Sequence, residues 1–473
     1  MKDSAALQQD GSLPGEWVDE MLLRGDSGDA CLWMGGPVSR RELRRLVGQR
    51  QQELASAGLT AGGTVTLRLP PSLAYVAALL AAWRLGAQVS LLDHRLTRHE
   101  ADLAVGRLAP QVLVEATQVV GGPMRGYLEA VAAATPRADG RPAGTPHALI
   151  QLSSGSTGPS KVIARTADNL IAELDRYTKL GDYPRPGERM VLLASIVHVL
   201  GLVGGLLYSL HAGLQLVFPD RVTADGILGA VAAGERPTML LGVPFHAELL
   251  AAATAPPLPR LTRMVVAGEL VRPGVPEAFT ARYGVPLGTM YGMTELGVIA
   301  TDLYGRLRPA VAPAPGMNLR VAGGELLAAM DASPYIGLVD PARWSDGWLH
   351  TRDAAAMDPR TGLVTILGRL DSQVSIGGLK VDLTEVEQTL RALPAVAEAV
   401  VVYDGVIEAY LALRADCSLP DVEAAISRQL ASYKRPRQLH AVERLPRTAS
   451  GKIIRDPTAL AALRAAAQPT AAS

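Results

Sequence analysis

Cysteine is nearly absent from this chain. Cys31 and Cys417 are the two it has among 473 residues, far apart and in no ligand-like spacing. That pattern excludes a cysteine-held zinc site and fits a reducing compartment, so a cytoplasmic location is expected. An excess of charge of one sign is missing too: Lys+Arg and Asp+Glu each number 46. With a pI near 7.1, the chain has no electrostatic footprint for general nucleic-acid binding. Residues 1–14 are polar and mixed in charge. They hold no basic stretch followed by an apolar run, so no secretory leader is expected. Lysine is scarce as well. Lys2, Lys161, Lys179, Lys380, Lys434 and Lys452 are all there are, and arginine supplies the remaining basic charge.

Apolar side chains, by contrast, are plentiful. They make up 48% of the residues, and the mean hydropathy is +0.16. That is enough for a large core, and it excludes both a disordered chain and a disulfide-stapled miniprotein. The length is about three domains' worth at ~150 residues each.

One apolar run needs separate treatment. Residues 190–210 carry no formal charge apart from His198, and Gly201 and Gly205 stand at GxxxG spacing. Taken alone, the run passes as a membrane helix. Its β-branched start and its glycines favour two shorter elements, a strand over 190–194 and a buried helix over 199–210. Gly213 would stop that helix, and a strand over 214–218 would follow. No membrane partner is therefore expected.

Helix and strand patterns alternate from residue 40 to 218. Helices are predicted over 41–56, 73–85 and 102–105, and strands over 64–69, 88–92 and 111–114. A second alternating region covers 224–292, with strands at 238–241, 264–266 and 287–290. Such alternation implies parallel sheets covered by helices. Residues 317–367 read as short strands between Gly and Pro turns, a small barrel or β layer. Beyond them, helices over 383–393 and 421–430 and strands over 396–403 and 408–413 form a compact α+β unit. The expected fold is α/β: a large N-terminal domain of two helix-covered sheets plus a small β-barrel-like layer, and a smaller, mobile α+β C-terminal domain. The boundary falls at Gly368-Arg369-Leu370-Asp371, giving domains 1–369 and 370–473.

The strongest local motif is Ser153-Ser154-Gly155-Ser156-Thr157-Gly158-Pro159-Ser160-Lys161, set between two strand-like runs. Its glycines let backbone N–H groups turn inward, its hydroxyls add donors and its lysine adds a point charge. That set suits a polyphosphate. The spacing is not that of a Walker A loop; a Ser/Gly hairpin turn is the plainer alternative. A second lysine on a glycine turn is Lys452, in Leu445-Pro446-Arg447-Thr448-Ala449-Ser450-Gly451-Lys452. Tyr291-Gly292-Met293-Thr294-Glu295 lies just past a strand end, where open α/β sheets bind ligands. Gly347-Trp348-Leu349-His350-Thr351-Arg352-Asp353 comes next. Gly368-Arg369-Leu370-Asp371 and Ile376-Gly377-Gly378 complete the series.

In that order and spacing the chain resembles the AMP-forming adenylating superfamily: acyl-CoA synthetases, peptide-synthetase adenylation domains and firefly-type luciferases. The resemblance covers roughly residues 43–455 and is nearest in type to acyl- or aryl-CoA ligases. It implies an acid–thiol ligase using ATP, Mg²⁺ and coenzyme A. By the same resemblance, Ser153, Ser154, Gly155, Ser156, Thr157, Gly158 and Lys161 hold the β- and γ-phosphates. Gly268, Glu269 and Leu270 line the adenine and acyl sites. Tyr291, with Gly292 and Met293, meets adenine. Thr294 meets the α-phosphate and Glu295 holds Mg²⁺. Asp353 takes the ribose hydroxyls, helped by Arg369. Asp371 is the hinge, and Lys452 is the catalytic lysine carried by the small domain. Gly377 and Gly378 lie along the pantetheine tunnel. Two departures stand out. Ser160-Lys161-Val162 replaces the family's Pro-Lys-Gly, and Arg352 stands where glycine usually precedes the ribose aspartate. Arg352 has two explanations, a phosphate contact or a plain surface residue.

For the acyl group, the expected pocket residues are His198, Gly201, Gly268 and Gly292. Amino-acid adenylation domains place an aspartate near His198, and residues 196–201 contain none. His198 therefore resembles its counterpart in acyl- and aryl-CoA ligases, with a helix-capping core histidine as the alternative. Gly201, Gly204 and Gly205 remove side-chain volume, so a wide apolar pocket is expected. The substrate would be a bulky hydrophobic aryl or polycyclic acid. Arg-over-Lys usage fits a high-GC bacterium, with a role in secondary metabolism such as antibiotic biosynthesis. The acceptor is coenzyme A or the phosphopantetheine arm of an acyl carrier protein. Lys434, Arg435 and Arg437 either meet coenzyme A phosphates or form a solvated face. A catalytically impaired nucleotide-binding homologue and a luciferase-like oxygenase are the competing functions.

Overall fold

The computed structural model describes residues 15–122, 124–153, 161–254, 257–370, 372–446 and 460. They fall into two compact units. The first comprises Met1–His94, Arg107–Leu152 and Val162–Leu370, the second Arg95–Gly106, Ser153–Lys161 and Asp371–Ser473.

The first unit is built on two sheets. The seven-stranded sheet has four strands in parallel pairing, in the order Leu149–Ser153, Gln88–Leu91, Thr64–Arg68 and Val112–Val120. The hairpin partner Glu129–Pro136 runs antiparallel at one edge. At the other edge, Tyr335–Ile336 pairs antiparallel with Lys161–Arg165. The fourteen-stranded sheet has a parallel centre: Gln215–Val217, Arg189–Leu192, Thr238–Gly242, Leu261–Ala267 and Leu287–Met293. Gly297–Asp302 turns back antiparallel on the last of these. The β layer expected from residues 317–367 is hydrogen-bonded onto it as a continuation, through Ala310–Pro313 and Val364–Arg369.

Helix Leu73–Arg84 shows how the two sheets share a core cluster. Every residue from Tyr75 to Trp83 is buried. An apolar helix with no polar face must be covered on all sides. Ser72 caps it by accepting the Tyr75 N–H at 3.1 Å. Side chains from both sheets join its cluster, among them Val65, Val89, Leu192 and Val265.

The charge-free run of residues 190–210 divides as its composition predicts. Strand Arg189–Leu192 leads through a loop to a wide-turned helical stretch, Leu200–Leu207, which continues as α-helix Tyr208–Ala212. Gly213 ends it in the left-handed region at φ 73°. Among the described residues no helix is long and apolar enough to cross a membrane.

Helix Pro244–Ala252 opens on a buried histidine. His246 Nδ1 accepts the Val243 N–H at 3.2 Å, and burial lowers the His246 pKa to about 4. The folded state therefore holds this ring neutral, while the unfolded chain protonates it below its ordinary value. Stability is present above pH ~6.5 and is lost as pH falls toward 4, by about 3 kcal/mol at ~1.4 kcal/mol per pH unit. Urea midpoints at pH 7 and pH 4.5 check this. His246→Gln should flatten the difference, and an unchanged slope would assign it elsewhere.

The second unit holds the three-stranded sheet Val396–Tyr403, Ile407–Leu413 and Gln438–Ala441. Helices Leu383–Arg391 and Leu419–Gln429 cover it. Gly377 and Gly378, at φ 56° and 80°, form the two-residue turn of the hairpin Gln373–Ile376/Leu379–Asp382. Two successive left-handed residues are what such a tight turn requires. Lys434 corrects both expectations made for it. It is neither solvated nor open to a phosphate. It is buried, with Nζ 2.8 Å from Glu385 Oε1 and 3.0 Å from Glu100 Oε1. Burial alone would lower its pKa, but the two carboxylates outweigh it and the pKa is raised.

Candidate functional site

The parallel centre of the large sheet delivers its loops at one edge. Strand Arg189–Leu192 leads to the loop carrying His198, Leu261–Ala267 to Gly268-Glu269-Leu270, and Leu287–Met293 carries Tyr291, Gly292 and Met293. Ala267 pairs with Met290, so the second and third of these are direct neighbours. This is where open α/β sheets present ligand-binding groups.

Three of the expected nucleotide residues meet in one cluster. Tyr291 donates its hydroxyl to Asp353 Oδ2 at 2.6 Å. Arg369 Nη1 lies 3.2 Å from Asp353 Oδ1 and also donates to the Thr351 carbonyl. Burial, then the Asp353 charge, raises the Tyr291 pKa far above the ordinary phenol value. The hydroxyl therefore stays a donor and the carboxylate an acceptor, a pairing that holds a planar group beside an anion.

Thr294 and Glu295 sit on the turn between strands Leu287–Met293 and Gly297–Asp302. Glu295 is buried, and Oε1 accepts the Tyr335 hydroxyl at 2.9 Å. Burial and the Glu295 charge raise the Tyr335 pKa. Tyr335 was not foreseen, because nothing in its local sequence marks it.

A buried ion pair supports that turn from below. Arg165 Nη1 lies 2.6 Å from Glu173 Oε2, with both side chains almost fully covered. Glu173 Oε1 accepts the Val298 N–H at 3.1 Å. Gly297, at φ 81°, faces the Glu173 carboxylate so closely that a Cβ would collide with it. A signal for Glu173 did exist in the sequence: it shares the buried face of helix Ala167–Lys179 with Leu170, Leu174 and Tyr177.

Around His198, expected to border the acid, the structure corrects two expectations. Residues 196–201 contain no acid, yet folding brings one in. Asp93 is buried, with Oδ2 3.6 Å from His198 Nε2 and Oδ1 3.6 Å from His94 Nδ1. The His198 ring is 41% exposed, and no side chain caps the helix that follows. His198 is thus neither core nor cap. Two buried groups fix its loop. The Tyr75 hydroxyl donates to the Ile196 carbonyl at 2.8 Å, and Gln151 Nε2 to the Val197 carbonyl at 2.7 Å. The second correction concerns the glycines. Space beside Gly201 is taken by the Ser195 carbonyl, beside Gly204 by the Tyr177 ring, and beside Gly205 by Leu192. They permit close packing and give no measure of pocket width.

Ser153 ends strand Leu149–Ser153, and Lys161 begins strand Lys161–Arg165. Ser154, Gly155, Ser156, Thr157, Gly158, Asp371 and Lys452 lie outside the described residues. Among those described, no group of three or more His, Cys, Asp or Glu could hold a metal ion. A magnesium–nucleotide complex needs only one or two carboxylates from the protein, and Glu295 fits that need.

Comparison with known proteins agrees with this architecture. The AMP-binding enzyme model matches residues 26–328, and the AMP-binding enzyme C-terminal domain matches residues 385–452. The chain belongs to the AMP-binding enzyme family. It is similar to a p-hydroxybenzoic acid–AMP ligase of Mycobacterium tuberculosis, with 26% identity over 94% of this chain and 68% of that protein. It is 28% identical to a feruloyl-CoA synthase of Amycolatopsis, over 93% of this chain and 97% of that one. The o-succinylbenzoate CoA synthetase of Bacillus subtilis shares the fold, with a TM-score of 0.78 at 23% identity, covering 93% of this chain and 97% of that one.

Proposed function

We propose that the protein joins an aryl carboxylic acid to AMP and then passes the acyl group to the thiol of coenzyme A. The Tyr291–Asp353–Arg369 cluster at the sheet edge of an AMP-binding enzyme carries this proposal. Asp353 accepts hydrogen bonds from the ribose hydroxyls, Arg369 holds that carboxylate, and the Tyr291 ring packs on adenine. Gly268-Glu269-Leu270 and Gly292 border the same nucleotide. Thr294 meets the α-phosphate. Glu295 would hold Mg²⁺, which supplies positive charge to the triphosphate when bound.

In the first step a carboxylate oxygen of the acid bonds to the α-phosphorus, and the bond to the bridging oxygen breaks, releasing pyrophosphate. Negative charge gathers between two anions, so positioned cations lower the barrier. Lys161 and Lys452 are the lysines proposed for that task, one from each glycine-bearing motif. In the second step the thiolate sulfur attacks the acyl carbon and AMP leaves. Gly377 and Gly378 would border the incoming pantetheine arm, and rotation about Asp371 would exchange the two states of the 370–473 domain.

The aryl class is supported by the named substrates of two relatives and by an imidazole paired to a buried acid at the acyl end. The glycines of 201–205 do not bear on it. Pyrophosphate release across benzoic, hydroxybenzoic, cinnamic, acetic and long-chain acids tests the function. Release is expected with the aryl acids, and none with any acid would refute it. His198→Ala should shift the order of acid preference by about tenfold, the size of one lost hydrogen bond. The KM for ATP should move less than threefold, roughly half that free energy. An unchanged acid order would make His198 structural.

A further inference from the structure

Strand Trp348–Met357 leaves its ladder where the site begins. Leu327 pairs with His350, but Glu325 pairs with Ala354, so Leu326 alone on one strand faces three residues on the other. A second register shift follows on the opposite side, between Ala354 and Ala355. Residues 351–353 form the bulge, and bulges re-aim side chains. At its apex Arg352 has φ +62°. That left-handed conformation is uncommon without glycine and persists only where its surroundings enforce it.

The enforcing group is Glu325. Its Oε1 accepts the Arg352 N–H at 2.8 Å. Its Oε2 lies 3.2 Å from His350 Nδ1, and His350 Nε2 lies 3.2 Å from Ser345 Oγ. The Glu325 side chain is 13% exposed. The Arg352 carbonyl is held in turn by the Leu370 N–H at 2.8 Å. One residue earlier, Thr351 Oγ1 donates to the Leu326 carbonyl and accepts the Asp353 N–H. Both peptide groups of the strained residue are thus anchored, one of them by a side chain from a neighbouring strand.

We propose that Glu325 is a positioning residue: by holding Arg352 in the left-handed turn, it aims Asp353 at the ribose hydroxyls of the nucleotide. The proposal rests on the ribose assignment of Asp353 made above. Without Glu325 the Arg352 N–H loses its partner and the turn loses the bond that offsets its strain. Relaxation toward extended backbone carries Asp353 toward the other face, because side chains alternate along a strand. This chain needs such a clamp because it has arginine, not glycine, at the apex.

The test compares AMP with 2′,3′-dideoxy-AMP by calorimetric titration of the full chain. Wild type should prefer AMP by about 100-fold, near tenfold for each hydrogen bond to a charged acceptor. Glu325→Ala should reduce that preference below about threefold, because the carboxylate no longer meets the diol. Glu325→Gln keeps an acceptor for the Arg352 N–H and should keep the preference. Glu325→Ala combined with Arg352→Gly should recover it, since glycine adopts the turn unaided. An intact preference in Glu325→Ala, folded by circular dichroism, overturns the proposal and leaves the ribose assignment standing. Failure of the double variant to recover also overturns it. Absence of any preference in wild type refutes the ribose assignment first and takes the proposal with it. Should Glu325→Ala not fold, Glu325→Asp, one methylene too short, is read by the same criteria.

Discussion

Glu173→Ala should lower the unfolding free energy by about 3–5 kcal/mol, the usual cost of leaving one member of a buried ion pair alone. Arg165 is the member left behind, at 2.6 Å from the missing carboxylate and with no route to water. The Val298 N–H loses its acceptor as well. Replacing both partners by apolar residues of similar size, Arg165→Met with Glu173→Leu, should cost much less, since no charge is then stranded. Urea denaturation of the three proteins checks this. A single variant within ~1 kcal/mol of wild type would mean that water or another group reaches Arg165. Because the turn bearing Thr294 and Glu295 ends at Gly297 and Val298, adenylate formation should fall along with stability.

Asp353→Ala should raise the KM for ATP about 100-fold and leave the KM for the acid nearly unchanged. Two hydrogen bonds to a carboxylate, at about tenfold each, account for that size. The substitution also strips the Tyr291 hydroxyl of its acceptor and Arg369 of its partner. Steady-state kinetics with each substrate varied in turn measures the split. Equal increases for both substrates would argue for general damage and against a nucleotide contact.

Much of the fold was legible because burial left clear periods. The largely apolar helix of residues 73–84 and the strands at 64–68 and 88–91 stand within a residue of their predicted bounds. Of the hairpin Val112–Val120/Glu129–Pro136 the sequence predicts only the first few residues. Its outer half is exposed and its returning strand is rich in alanine, so burial leaves no hydrophobic alternation to read there. Of helix Arg98–Leu108 the sequence predicts only the middle, because its first turn is polar.

The site divides in a similar way. Tyr291, Asp353, Arg369 and Glu295 belong to motifs whose order could be recognised. Asp93, Glu173 and Glu325 are single acids in ordinary strands, loops and helices. Their partners, His198, Val298 and Arg352, lie far away in sequence. Only folding joins them; Glu173 alone left a local mark, an acid on the buried face of its helix, and no local pattern announces Asp93 or Glu325. The glycines of 201–205 show the opposite error. A run of missing side chains looked like room for a substrate, and the space is filled by Ser195, Tyr177 and Leu192.

Tyr75 from helix Leu73–Arg84 and Gln151 from the smaller sheet staple the carbonyls of Ile196 and Val197. An engineer wishing to swap this loop, proposed above to set acid preference, for a foreign one inherits those two staples. A transplant that presents its backbone to both should slot in as a cassette. One that misses either would strand a polar group in the protein interior and forfeit its selectivity before meeting any substrate.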